Sequence, residues 1–322
     1  MTHTTYQTSH ARTLAWLLAG ILFLAACAGK GQRMPMAKGA PSEVALYGDA
    51  DSTVGHLLTA PQEGLPQPEP QFQVSRMDAH PEGLRLFRNV VVVQVDAKAY
   101  THTRVRCARD VYARGQLVIS IQAPSRQALR RDIGRYAIAD SLLANELRHH
   151  LYTLRRHHTP LPPHVSKAMG CTLWLPEDMR LNVTGRQFAW FSDNGAPTMS
   201  NLCLYRADRR DSVMRRNLRG ETDSMYVCTV PHTVHTRRTA GPQGAYTETR
   251  RGLWQMRGDA MGGPFVQRVT HMPDGQVWVA EAFLYAPGQN KRDKLRLLEA
   301  ALLTLQPTGY NRYNTHNSYG KQ

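Results

Sequence analysis

Residues 89–95, Asn-Val-Val-Val-Val-Gln-Val, decide the fold of the first half of the chain. Four consecutive valines present no polar face, and β-branched side chains favour a strand over a helix. A strand without a polar face has to be covered on both sides. We therefore expect Val90–Val93 to lie at the centre of a sheet.

The sequence on either side of the valine run predicts more strands and one long helix. The predicted strands are Glu43–Tyr47, Gln71–Arg76 and Leu117–Ile121. Ser125 is a suitable helix N-cap, and apolar residues then recur at three- and four-residue spacing as far as Leu154. This pattern predicts a single helix towards His158 with one buried face. The prolines in residues 160–163 end that helix and mark the boundary between two halves.

The second half has the alternating pattern of antiparallel strands. Pro273-Asp274-Gly275 predicts a turn that joins Val266–His271 to Gln276–Tyr285 as a hairpin, followed by an amphipathic helix over Lys291–Leu305. A weak repeat, strand then Ala-Pro then basic helix, occurs at the end of each half. We expect an α+β fold, with antiparallel or mixed sheets and helices packed on one face, and the repeat raises the option of two similar halves.

The start of the chain resembles a bacterial lipoprotein signal. An apolar run from Leu14 to Ala26 follows Arg12 and ends in Leu24-Ala25-Ala26-Cys27. Thirteen apolar residues are too few to cross a membrane, which takes about 20. The resemblance implies an export signal that is cut before Cys27, with diacylglycerol on the Cys27 sulfur and an acyl chain such as palmitate on its new amine.

Five segments follow from these patterns. Residues 1–26 are the predicted signal peptide, 27–41 a flexible Gly-, Pro- and Lys-rich tether, 42–159 the first half, 160–306 the second half and 307–322 a disordered tail. Lys30–Lys38 is basic without an acidic cluster, which favours a lipid-anchored protein of the cell envelope, most simply in the outer membrane and facing the periplasm.

Net charge and hydrophobic content restrict the function. The 322 residues carry a formal charge of +15, and 42% of them are hydrophobic, enough for a substantial core. The arginines are scattered without an aromatic-lined basic groove, which argues against nucleic acid as a partner. Two interpretations of the positive charge remain. One is a basic face that binds anionic lipid or polysaccharide, and the other is an arginine-rich surface that is simply solvated.

Four cysteines remain if Cys27 carries lipid, and an exported protein meets an oxidising compartment. Cys203 and Cys228 both lie in strand-like sequence, so a cross-strand disulfide between them is one interpretation and buried free thiols are the other. No Cys-x-x-Cys spacing is present, so we expect no metal centre and no cofactor.

Eight short stretches together resemble a known family. They are Gly64–Pro70, Leu86–Val90, Arg109–Ala113, Ile121–Pro124, Gly170-Cys171, Arg251–Trp254, Asp259–Phe265 and Tyr285–Pro287. In this order they are similar to a family of Bacteroidota lipoproteins described as domain of unknown function 4837, over residues 40–306. The resemblance implies a place in the cell envelope and assigns no catalytic residue.

The most distinctive stretch of that resemblance is also the candidate binding patch. It consists of Arg251, Trp254, Arg257, Asp259, Gly262, Gly263 and Phe265. Two interpretations of its glycines compete: a tight turn or bulge with positive φ, or a backbone nest that binds a carboxylate or phosphate beside the arginines.

No catalytic motif supports an enzyme. Histidines cluster around residues 149–164 without a Cys or carboxylate at ligand spacing. The carboxylates nearest to glycine-rich turns, among them Glu281, are not brought together by any sequence pattern. We expect a non-catalytic module that binds an envelope protein or a glycan. The alternative is an envelope hydrolase whose residues meet only in the fold.

Overall fold

The computed structural model describes residues 34–77, 84–241 and 244–308, so the predicted signal peptide and Cys27 lie outside the described residues. The chain forms two compact units. Unit 1 contains the residues up to 59 and residues 72–145, and unit 2 contains residues 60–71 and the residues from 146 onwards. The division therefore falls within a helix and not at the prolines of residues 160–163.

Unit 1 contains five strands, two helices and the start of a third helix. Its elements are β1 (Glu43–Tyr47), α1 (Thr53–Leu58), β2 (Gln73–Met77), β3 (Asn89–Val95), β4 (Arg104–Arg109), β5 (Leu117–Ala123), α2 (Arg126–Asp132) and the start of α3 (Ile138–Arg156). The strand order is β2-β1-β3-β5-β4, parallel throughout except for β4.

The valine run occupies the central strand β3, as predicted. Val91 and Val93 pack with residues of the helices, including Leu129 and Leu142, whereas Val90 and Val92 pack on the other face. All four valines are buried. A strand that is apolar on both faces is stable only at such a covered position.

Unit 2 is built on one large antiparallel sheet. Its elements are β6 (Thr159–Pro160), α4 (Pro163–Met169), β7 (Cys171–Thr172), β8 (Trp174–Leu175), β9 (Arg180–Thr184), β10 (Phe188–Ser192), β11 (Met199–Tyr205), α5 (Arg210–Asn217), β12 (Tyr226–Thr229), β13 (His235–Ala240), β14 (Tyr246–Arg257), β15 (Gly262–His271), β16 (Val277–Tyr285), α6 (Arg292–Leu302) and β17 (Gln306–Pro307). The main order is β12-β14-β15-β16-β11-β10-β9, and β13 also pairs with β14.

Both faces of the large sheet are covered. Helix α6 packs on one face through Leu298 and Ala301, against residues such as Val266 and Ala282. Helix α5 packs on the other face through Met214, and Leu218, directly after the helix, is buried in the same core. The predicted hairpin is confirmed as β15 and β16, with a positive φ of 81° at Gly275 in its turn.

The fold class is α+β, as predicted, but the two units are not copies of one another. The sheet of unit 1 is largely parallel and that of unit 2 is antiparallel. The similar Ala-Pro junctions therefore reflect a common way of leaving a strand and not a duplication. No helix in the described residues is long and apolar enough to cross a membrane.

The single helix predicted after Ser125 is interrupted. Ser125 does cap α2, because its Oγ accepts from the Ala128 backbone N–H at 3.1 Å. A 3₁₀ turn over Ile133–Arg135 follows, and Tyr136 is extended at φ −102° and ψ 133°. Glycine at position 134 weakens the helix here, and the Tyr136 hydroxyl donates to the Thr103 carbonyl at 2.8 Å, which fixes the break.

Both predicted flexible ends contain ordered residues. Within the predicted tether, the backbone N–H groups of Ala37 and Lys38 donate to the carbonyls of Arg114 and Leu86 at 3.0 and 2.6 Å. Within the predicted tail, Pro307 belongs to β17 and pairs with β7. The remainder of both segments, residues 27–33 and 309–322, lies outside the described residues.

The predicted Cys203–Cys228 disulfide is wrong for this fold. Both cysteines are free, and β14, β15 and β16 separate β11 from β12 in the sheet. Strands lie about 4.8 Å apart, so the two cysteines are several times farther apart than the roughly 6 Å between Cα atoms that a disulfide spans. The alternative of free thiols is the one that the fold adopts.

Candidate functional site

The two aromatic residues of the predicted binding patch belong to the core of unit 2. Trp254 is 2% exposed and Phe265 is 1% exposed. The Trp254 indole N–H donates to the Leu284 carbonyl at 3.2 Å, and its ring meets Phe283 edge-on at 5.2 Å between centroids. Neither ring is available to a partner, so the patch is not centred on Trp254.

The charged residues of that patch point in different directions. Arg251 and Trp254 lie on opposite faces of β14, because side chains alternate along a strand, and Arg251 forms an ion pair with Glu299 on α6. Arg257 is exposed at the end of β14, and Asp259 accepts a hydrogen bond from the Ala260 N–H in the following turn. Only Arg257 keeps the role of an exposed cation.

Gly262 and Gly263 allow close packing and form no turn or nest. They lie in β15, paired with Gln255 and Trp254. A Cβ atom on Gly263 would sit 2.0 Å from the Leu284 carbonyl oxygen, and one on Gly262 would sit 2.9 Å from that of Trp254. The residue with positive φ in this stretch is Gly258, at 83°.

The predicted histidine cluster makes local contacts. His158 stacks on Trp174 with centroids 4.8 Å apart, and its Nδ1 lies 2.8 Å from the Leu154 carbonyl oxygen. His157 lies 3.8 Å from a carboxylate oxygen of Glu177. These contacts occupy two of the histidines at the end of α3.

A row of polar residues crosses the α5-facing side of the large sheet, and the sequence did not predict it. Arg250 on β14 pairs with Gln267 on β15, Gln267 with Glu281 on β16, and Glu281 with Cys203 on β11. Residues that are opposite one another in a ladder share a face. The row therefore runs across four adjacent strands, and we call it the polar row.

Glu281 is the most buried charge of the polar row. Its side chain is 0% exposed, and it accepts from the Tyr205 hydroxyl at 2.7 Å, from Gln267 Nε2 at 3.0 Å and from Arg210 Nε at 2.9 Å. Arg210, the first residue of α5, also stacks over Phe265 at 4.1 Å. Both carboxylate oxygens are satisfied, which a buried charge requires.

The electrostatics of this group keep Arg210 charged and Tyr205 protonated. Burial raises the pKa of Tyr205 well above its ordinary value, and the Glu281 carboxylate raises it further. Burial is the largest influence on the pKa of Arg210 and would lower it, but the charges of Glu281, Tyr205 and Asp211 and the hydrogen bond to Glu281 together outweigh burial, so the pKa is raised. A tyrosine that stays protonated and an arginine that stays charged support structure and offer no proton at neutral pH.

The outer end of the polar row is a second charged cluster. Arg250 donates to both carboxylate oxygens of Asp208 and to Glu248, and Arg238 donates to Glu248 at 2.7 Å. His271 Nε2 lies 3.8 Å from Asp208. Asp208, Glu248 and His271 each offer one possible metal-ligand atom, and these three atoms lie within 4.8 Å of one another.

This second cluster contains the residue types of a metal or hydrolytic site, but arginine already occupies the place of a cation. The guanidinium of Arg250 bridges the two carboxylates of Asp208 and Glu248. A divalent ion would have to displace that guanidinium against its charge-assisted hydrogen bonds. The arrangement neutralises charge and offers no open coordination position among these groups.

Five carboxyl groups of the described residues, including Glu248 of this cluster, are stabilised in their charged form. The pKa is below its ordinary value for Asp51, Asp193, Glu248 and Asp274, because hydrogen bonds and nearby cations outweigh any effect of burial. Hydrogen bonds from Arg131 and Thr103 lower that of Asp132 to about 2. A general acid at neutral pH needs a raised carboxyl pKa, so none of these five groups is suited to that role.

The sequence contained one signal of the polar row. Glu281 is the only charged residue in β16, Val-Trp-Val-Ala-Glu-Ala-Phe-Leu-Tyr. A lone carboxylate in an apolar strand requires a buried partner. That partner, Arg210, is 71 residues away, and no local pattern connects the two.

Comparison with known families divides the chain in two. Residues 160–304 match the family model of a domain of unknown function (DUF4837), and residues 42–149 match a second domain of unknown function (DUF8532). The resemblance to the first family is thus confirmed in the second half, and a different family model covers the first half. No curated protein matches the sequence.

Two solved structures show limited similarity. A protein from Bacteroides thetaiotaomicron is 12% identical with a TM-score of 0.22, and the match covers 47% of this chain and 48% of that protein. The STAR-related lipid transfer protein of Xanthomonas axonopodis (fragment 25–204) is 13% identical with a TM-score of 0.20, covering 39% of this chain and 96% of that fragment. Neither TM-score indicates a shared overall fold.

Proposed function

We propose that this chain, whose residues 160–304 match the domain of unknown function (DUF4837) family, is a lipid-anchored protein of the bacterial cell envelope that binds a partner without catalysing a reaction. The observation that carries the proposal is Leu24-Ala25-Ala26-Cys27 after a short apolar run. Acyl chains on Cys27 would hold the mature protein on a membrane, most simply the outer membrane, with the fold in the periplasm.

The ordered start of unit 1 supports a position of this unit close to the membrane. Ala37 and Lys38 are hydrogen-bonded to unit 1, and only nine residues separate Cys27 from Ala37. The ten residue steps from Cys27 to Ala37 span at most about 36 Å when fully extended. A lipid on Cys27 would therefore keep unit 1 close to the lipid surface.

The neutralised carboxylates support binding over catalysis. Glu281 is held by Arg210, Glu299 by Arg251 and Glu248 by two arginines. An acid–base site needs a group that gains or loses a proton near neutral pH. Rigid units with satisfied charges suit a binding module, which needs only a preorganised exposed surface.

Fatty-acid labelling tests the anchor. Cells that express the wild-type chain should incorporate a radioactive fatty acid into the protein, and the protein should partition with membranes. Cys27→Ser should abolish both, whereas Cys107→Ser, which removes an exposed cysteine of unit 1, should change neither. Labelling that persists in Cys27→Ser refutes the anchor.

A turnover assay tests the hydrolase alternative, for which the cluster of Asp208, Glu248 and His271 supplies suitable residue types. The purified chain should not turn over chromogenic esters, phosphoesters or glycosides, with or without added Zn²⁺. Turnover that is lost in both Asp208→Asn and His271→Ala, while the variants unfold at wild-type temperature, would replace the binding proposal with an enzyme.

A further inference from the structure

We propose that Arg215, Tyr226 and Arg257 form a binding site for a phosphate group on the surface of unit 2. The inference deepens the proposed function, because it names the ligand chemistry of the binding surface. The Cζ atoms of Arg215 and Arg257 lie 4.8 and 5.7 Å from the centroid of the Tyr226 ring, and Arg257 Nη1 donates to the Tyr226 hydroxyl at 2.7 Å.

Three elements hold these side chains together. Tyr226 begins β12, directly opposite Arg257 at the end of β14. Arg215 is on α5, which is joined to β12 by a hydrogen bond from the Val227 N–H to the Leu218 carbonyl at 3.1 Å. Leu218 and Val227 are buried in one core, so the ring and both arginines rest on rigid elements. Such preorganisation reduces the entropy that ligand binding costs.

Both guanidinium groups have donors to spare. Arg215 and Arg257 are exposed, and among the contacts of the described residues neither is paired with a carboxylate. Arg219, which follows the end of α5, differs because it donates to Asp223 at 2.9 Å. A guanidinium has five N–H donors, and Arg257 directs one of them to Tyr226.

The arrangement fits phosphate better than carboxylate. Guanidinium forks match the oxygens of phosphate bidentately, and two forks beside one ring can contact separate oxygens of the same tetrahedral group. The Tyr226 hydroxyl accepts from Arg257, so its own proton is free to donate to a phosphate oxygen. A carboxylate has only two oxygens, so it would pair with one guanidinium group and leave the other without a partner.

Titration of the full-length chain in neutral detergent tests the site. The probes are glycerol 3-phosphate, a short-chain phosphatidic acid and acetate, in low-salt buffer. We expect both phosphates to bind more tightly than acetate. The Arg215→Ala, Arg257→Ala double variant should weaken phosphate binding about tenfold or more. Equal affinity for glycerol 3-phosphate and phosphatidic acid would indicate a soluble phosphorylated ligand. Tighter binding of phosphatidic acid, lost in the double variant, would indicate a lipid headgroup.

A matched control separates a site from general charge attraction. Arg155→Ala, Arg186→Ala removes the same charge from two exposed arginines of unit 2 and should change the affinity less than about twofold. Equal weakening in both double variants, or no phosphate binding by the wild-type chain, overturns the proposal. Because the assay does not depend on acylation, its failure is distinguishable from failure of the lipid anchor.

Discussion

The two faces of the large sheet in unit 2 are both buried, but different interactions stabilise them. The face under α6 packs mainly through apolar residues, with Val266, Ala280 and Ala282 against Leu298, and it also carries the Arg251–Glu299 ion pair. The face under α5 carries the polar row, in which Glu281 is fully buried and held by Arg210 from α5. An apolar face needs only complementary shape, whereas a buried charge needs a specific partner.

The alternation of side chains explains how one sheet can be stabilised by apolar packing on one face and by a buried ion pair on the other. Strands β15 and β16 alternate strictly, so one set of residues faces α6 and the other faces α5. The α5 face accepts a carboxylate because α5 begins with Arg210, and because Tyr205 and Gln267 complete the hydrogen bonds of Glu281. We infer that the ion pair fixes the position of α5 on the sheet, and with it the position of Arg215.

The largest expected effect comes from breaking the ion pair on one side. Arg210→Ala should lower the free energy of unfolding of unit 2 by about 3–5 kcal/mol, since Glu281 is left buried without its cation. Urea unfolding followed by tryptophan fluorescence measures it, because Trp174, Trp190, Trp254 and Trp278 all lie in unit 2. A loss below about 1 kcal/mol would contradict this account.

The next effect comes from the apolar face. Leu298→Ala should cost roughly 3 kcal/mol, from lost burial and the cavity that remains. Since Leu298 is buried in an apolar core, the cost should be the same in low and high salt. A cost that changes with salt would show that the two faces do not differ as described.

The outer end of the polar row should respond to pH. Burial raises the pKa of Glu248, but hydrogen bonds from Arg238 and Arg250 lower it below its ordinary value. This stabilisation is present above the unfolded pKa, which is about 4.3, and is lost as pH falls through the lower folded pKa. Glu248→Gln should flatten the stability–pH curve in this acidic range, by roughly 1 kcal/mol or less. An unchanged curve would contradict the assignment.

The smallest effect should come from the exposed arginines. Arg257→Ala should change the free energy of unfolding by about 0.5 kcal/mol or less, since Arg257 is exposed and, among the described residues, is not paired with a carboxylate. The same variant should weaken phosphate binding. A large loss of stability would show that Arg257 stabilises the fold. The contrast between the buried polar row, which stabilises unit 2, and the exposed arginines, which bind phosphate, would then be lost.

Local patterns were sufficient for part of the fold. The valine run predicted the central strand of unit 1, and the alternation around Pro273–Gly275 predicted the β15–β16 hairpin, because both depend on neighbours in sequence. The extended backbone of Tyr136 interrupts the predicted helix through a contact with Thr103, 33 residues away. Such a contact leaves no trace in helical periodicity.

The candidate site was harder to predict than the fold. Trp254 is buried because Gly263 allows β15 and the Leu284 carbonyl to approach it, which is a property of three strands together. Arg257 was among the predicted patch residues, but Tyr226 and Arg215 were not. They join Arg257 only because α5 and β12 pack at that end of the sheet.

A double-mutant cycle on Arg210 and Glu281 tests the central claim, that the buried charges of unit 2 maintain its structure. The variants are Arg210→Met, Glu281→Leu and both together. Each single variant should lose about 3 kcal/mol or more, and the double variant should recover at least about 2 kcal/mol of the summed loss. Single variants as stable as the wild-type chain would contradict the claim, because charges that contribute nothing to stability are typical of an active site.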